Sequence, residues 1–106
     1  MRNPKKLNIT TLDGKWSDKD NVMLHACFQL LTDFVEQEIA NDIADWQHDD
    51  AHSNARKEID ELYAWWKQRI IKDNAGEIDS IWGEGQYETD NAMLIRLINI
   101  RKYLWT

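Results

Sequence analysis

The chain predicts an all-α fold, a compact bundle of three main helices with one or two short ones and an extended N-terminal arm. Three observations lead there. One proline and four glycines in 106 residues leave little material for tight turns. Apolar residues recur at helical spacing over three long stretches. Hydrophobic residues make up 42% and charged residues 30%, a mix that builds one globular core. The length fits one domain.

Residues 1–16 are read as the arm. Leu7, Ile9, Thr10 and Thr11 suit an extended piece, Asp13-Gly14 is a turn signal, and Trp16 is the expected anchor on the body of the domain. The first helix is expected over 17–46, with N-cap candidates at Ser17 to Asp20. Its apolar residues fall in two rows, 23-27-30-34 and 24-28-31-35, a stripe wide enough to touch neighbours on two sides. A break is expected near Asn41-Asp42, before Ile43 and Trp46, because helix propensity falls there. A second helix over 52–72 carries Ala55, Ile59, Leu62, Tyr63, Trp66 and Ile70 on one clean stripe. Residues 73–88 hold three glycines and read as a structured loop pinned by Trp82. The third helix is expected over 89–105; its arc takes in Met93, Leu94, Leu97, Ile98, Ile100 and Leu104, as well as Asp90 and Arg101, while Ile95 falls outside.

The net charge of −6 argues against direct binding of a nucleic-acid backbone and suits a basic protein surface. Cys27 stands alone in an apolar run and is read as a small packed hydrophobe. A single cysteine fits a cytoplasmic setting. No apolar run follows the basic N-terminus, so no signal peptide is expected. No run is long enough for a membrane span.

The segments Glu58-Ile59-Asp60-Glu61-Leu62-Tyr63-Ala64-Trp65-Trp66 and Tyr87-Glu88-Thr89-Asp90-Asn91-Ala92-Met93-Leu94-Ile95-Arg96-Leu97-Ile98-Asn99-Ile100-Arg101, with Leu104-Trp105-Thr106, resemble small hypothetical proteins of tailed bacteriophages. The resemblance covers about the last half of the chain, and Phe28 to Glu38 more loosely. It implies a viral origin, a host-cell cytoplasm and a small helical protein; it carries no activity and no catalytic residue.

Four constellations are candidates for chemistry. Glu36, Glu58, Glu61 and Asp90 are carboxylates on three helices that could converge on Mg²⁺. Glu58-x-x-Glu61 matches the first half of the plan used by all-α nucleotide pyrophosphohydrolases, but Glu88-x-x-Asn91 misses the second. Solvated helix faces are the simpler reading. Asp45, His48 and His52 have metal-ligand spacing if helical, although a cap-rich connection explains them as well. His25, Gln29, Asp33 and Glu36 line one polar side of the first helix and read first as solvated.

The fourth constellation is aromatic and basic: Trp65, Trp82, Tyr87, Tyr103 and Trp105 with Arg96 and Arg101. These are the ring systems the helical stripes explain least. Ring faces can stack a base while Arg holds a phosphate. The same rings could instead cap the bundle ends or fill an interface between copies. No phosphate loop, nucleophile elbow or Cys–His pair is present. The expectation is therefore a binding protein with no cofactor, forming a homo-oligomer and taking a host protein or a nucleotide-like ligand. A Mg²⁺-dependent pyrophosphohydrolase and a purely structural assembly unit are the alternatives.

Overall fold

A computed structural model describes residues 7–12, 18–38, 49–75 and 84–104. Helix accounts for all of the regular structure among them, so the fold is all-α. Helix α1 spans Lys19–Asp33, α2 spans Asp50–Asn74 and α3 spans Glu84–Asn99. A π-helical turn, Phe34–Glu38, continues α1, and a 3₁₀ turn, Arg101–Tyr103, closes α3. No described helix is long and apolar enough to cross a membrane.

The helix ends follow from local chemistry. Asp49 caps α2, its carboxylate accepting from the His52 backbone N–H at 2.8 Å. The peptide carbonyl of Asp18 accepts from Val22 N–H at the start of α1, without a side-chain cap. Helix α3 begins five residues earlier than the glycine content of its approach suggests. Gly85 lies within its first turn, where added side-chain atoms would meet open space. Within the described part of the first helix a π turn at Phe34–Glu38 follows α1, and its extra residue per turn resets the helix face. Asn41-Asp42, Ile43 and Trp46 lie outside the described residues, as do Trp16, Trp82 and Trp105.

The helices run up, down and up. Phe28 stacks on Trp66 and Glu36 meets Tyr63, so α1 and α2 are antiparallel. Asp90 meets Arg69 and Arg96 meets Glu58, so α2 and α3 are antiparallel too. Helices α1 and α3 are therefore parallel. The core is built from Leu24, Phe28, Leu31 and Phe34 on α1, Ala55, Ile59, Leu62 and Trp66 on α2, and Leu97 and Ile100 at the end of α3.

The broad α1 stripe divides in this packing. The 24-28-31 row is buried, whereas Met23 and Leu30 of the other row stay 58% and 54% exposed. The core centre on α1 lies toward His25 and Gln29, which are buried. His25 and Gln29 of the polar row thus turn inward, contrary to the solvated row their residue types suggest, while Asp33 is half-buried and Glu36 stays exposed. Cys27 is half-buried against the core, and burial pushes its thiol pKa up, in keeping with a packed side chain.

Candidate functional site

The arm explains the inverted face of α1. Thr10 donates to Gln29 Oε1 from its backbone N–H at 3.1 Å and from its hydroxyl at 3.0 Å. Gln29 in turn donates to Asp33 Oδ1 at 2.9 Å. The Thr11 hydroxyl and His25 Nδ1 share a hydrogen bond of 2.7 Å. These partners satisfy groups that would be costly to bury bare. The described part of the arm is thus held by two threonines on two buried polar side chains.

Below this seam lies a buried ion pair. Arg69 grips Asp90 with two bonds, Nε to Oδ1 at 3.0 Å and Nη2 to Oδ2 at 2.9 Å, and Gln86 adds a third at 2.7 Å. Both charged residues are almost fully buried. Arg69 Nη1 is buried with no hydrogen-bond partner, 3.9 Å from an Asp73 oxygen. The His25 ring meets Trp66 edge-on at 5.0 Å between centroids.

Burial, and then the Arg69 guanidinium, hold the His25 pKa below its ordinary value; Asp73 and Asp90 oppose this. The sign of the stability effect follows. The unfolded chain takes up a proton on His25 near pH 6.5, and the folded chain only at lower pH. Stability contributed by neutral His25 is fully present above 6.5 and drains away as pH falls through the folded pKa. Urea unfolding across this window is expected to find a decline in the wild type that His25→Gln makes shallower. Equal slopes would show that His25 has the same pKa in both states.

The other candidate carboxylates sit in separate ion-paired groups. Arg96 bonds both oxygens of Glu58, with Nε to Oε2 at 2.7 Å, and reaches Glu61 Oε1 at 3.3 Å. These contacts hold the Glu58 pKa down and raise that of Arg96. Glu36 accepts from the Tyr63 hydroxyl at 2.7 Å and pairs with Lys67 Nζ at 3.1 Å, and its pKa is lowered by both. Glu36, Glu58 with Glu61, and Asp90 are thus divided among three different cations. Among the described residues no group of three His, Cys, Asp or Glu is placed to hold a metal ion. His52 bonds the Asp49 cap through Nδ1 at 2.7 Å and packs edge-on against Tyr103. Asp45 and His48, its proposed co-ligands, lie outside the described residues.

The described members of the aromatic and basic set do not share one surface. Trp65 leans on Phe28 and on Trp66 at the margin of the core. Tyr103 packs on the same core beside the start of α2. Tyr87 sits at the other end of α3, about 24 Å away at the helical rise of about 1.5 Å per residue. Its hydroxyl donates to Asp20 Oδ2 at 3.2 Å. Arg96 is committed to α2, and Arg101 is exposed in the 3₁₀ turn. Sequence reasoning overlooked Arg69 as a site residue, although it lies three residues after Trp66 on the buried stripe. A cation on that stripe, with Asp90 inside the α3 arc, was the available sign of a buried pair.

Apolar side chains are also left uncovered on α1 and α3. A cleft of about 100 Å³ opens between α1 and α3, lined by Asp20, Met23, Tyr87, Asp90, Asn91 and Leu94 among others. That is below the roughly 300–1,000 Å³ of small-molecule pockets. Beside it stand Ile95 and Ile98, 59% and 55% exposed. Residues 21–32 of α1 contain no Asp, Glu, Lys or Arg at all. Since His25 and Gln29 face inward, the outward side of α1 offers Met23, Ala26, Cys27 and Leu30. No family model, curated protein or solved structure matches the chain.

Proposed function

We propose that this chain is a non-catalytic binding protein whose working surface is the apolar face shared by α1 and α3. The observation that carries the reading is the set of outward side chains Met23, Leu30, Ile95 and Ile98, each more than half exposed on α1 and α3. Exposed apolar surface of this kind marks protein interaction sites. The ion pairs support the same reading, since Glu36, Glu58, Glu61 and Asp90 are already neutralised by protein cations. The small cleft favours a side chain over a whole nucleotide as occupant. On the resemblance to tailed-phage proteins, the setting would be an infected bacterium and the action that of an accessory protein, blocking or sequestering a host component.

Native mass spectrometry of the gently purified protein tests this. The expected species carries only protein mass, whether a second copy or a bound protein, and Ile98→Asp releases it. A retained nucleotide would overturn the reading in favour of ligand sequestration. Mg²⁺-dependent release of pyrophosphate from nucleoside triphosphates, lost in Glu61→Gln, would overturn it in favour of the enzyme.

A further inference from the structure

The pattern along α3 says what fits the apolar face. Glu88, Ile95 and Lys102 are spaced by seven residues on either side of Ile95. Seven residues are about two helical turns, so Glu88 and Ile95 lie along one ridge of α3. Lys102 follows beyond the end of α3, in the 3₁₀ turn, with its Nζ 5.2 Å from the centre of the Tyr103 ring. All three are exposed. Along the helix axis the order is acidic, apolar, basic, and such an order is complementary to itself when reversed.

We infer that the partner of the α1–α3 face is a second copy of this chain, packed antiparallel about a two-fold axis at Ile95. This commits the binding surface proposed above to one occupant. Around the axis, Glu88 of each protomer comes level with the partner's Lys102, twice per dimer. By the same count the partner's Ile98 comes level with Asn91 and Ala92, beside the cleft. A two-fold interface requires this kind of patch, in which residue i meets residue j and j meets i.

Charge supports a copy as occupant. Each chain carries a formal charge of −6, so two copies repel at long range and can meet only on a face that adds no repulsion. This face meets that condition. Residues 21–32 of α1 are uncharged, and on α3 the one charge between Asp90 and Arg101, Arg96, is turned onto Glu58. Asp20, which accepts a hydrogen bond from Tyr87, lies at the same end of the helices as Glu88, and Arg101 precedes Lys102 in the 3₁₀ turn. A basic partner would instead call for a net acidic surface, which the centre of the face lacks. Antiparallel α3 helices also place opposite helix-dipole ends together.

Sedimentation velocity on the full chain tests the arrangement. The wild type is expected to be a dimer. Ile95→Asp sets two carboxylates against each other at the axis and is expected to weaken association by about a hundredfold or more. Glu88→Lys and Lys102→Glu are each expected to weaken it about tenfold, since each replaces two attractive pairs with two repulsive ones. Mixing the two single variants restores both pairs and is expected to give a heterodimer of wild-type strength. Helical circular dichroism separates these effects from misfolding, because all three side chains are exposed. A monomeric wild type overturns the inference. So does a dimer indifferent to Ile95→Asp, or charge variants that fail to rescue each other. A monomer that still retains another protein through Ile98 would overturn the dimer while leaving the binding reading in place.

Discussion

Asp90→Ala is expected to cost the fold about 3–5 kcal/mol. Removing the carboxylate strands the Arg69 guanidinium, which already has one unbonded nitrogen, in a site where its side chain is 5% exposed. Domains of this size are stable by roughly 5–15 kcal/mol, so the loss approaches the whole margin. A fall in Tm of at least about 12 °C should accompany it. The cost comes from orphaning a charge rather than from the pair's own net worth. The double variant Arg69→Met/Asp90→Leu removes both charges and is expected to return most of the lost stability. Urea unfolding of the three proteins checks this. A loss below about 1 kcal/mol for Asp90→Ala would mean that Arg69 finds water or another acceptor.

Trp66→Ala is expected to be of similar severity, about 3–5 kcal/mol. The Trp66 ring is 2% exposed, stacked on Phe28 at 4.7 Å between centroids and capped edge-on by His25. Deleting it opens a cavity between α1 and α2 that rigid neighbours fill poorly. Trp65 touches the same Phe28 but keeps part of its surface in water, so Trp65→Ala is expected to cost about 1–2 kcal/mol. If the two losses proved equal, the aromatic cluster would be stabilised by Trp65 as much as by its neighbour. Calorimetric or denaturant unfolding of both variants, together with the exposed control Ile71→Ser on α2, separates these outcomes. The control is expected to stay within about 0.5 kcal/mol of the wild type in the stability of the protomer.

Particular residues of the chain differ in how much of their place in the fold they reveal. The α2 stripe of Ala55, Ile59, Leu62 and Trp66 was legible because one narrow row at helical spacing leaves one possible inward face. Helix α1 was legible as a helix but not in its orientation. Its apolar arc exceeds the width one neighbour can cover, so periodicity alone permits several rotations. The arm decides among them. Thr10 and Thr11 supply partners for Gln29 and His25, and with those partners present these two polar side chains can be buried while Met23 and Leu30 turn outward. The candidate site was less legible still. Glu58, Glu61 and Asp90 are ordinary carboxylates at fixed places in the chain, and nothing local says whether they face a metal, water or an arginine.

The chain by itself determined that it folds as helices, roughly where they run, and which side of α2 is buried. Those properties arise from interactions within a few turns, and composition and spacing record them. Only the tertiary structure decided which row of α1 faces out, that Asp90 meets Arg69, and that Arg96 claims Glu58 and Glu61. These outcomes depend on partners 14 to 38 residues apart. Such pairings are chosen by how three helices pack together, because burial sets the cost of every unpaired polar group and the packing alone determines what is buried.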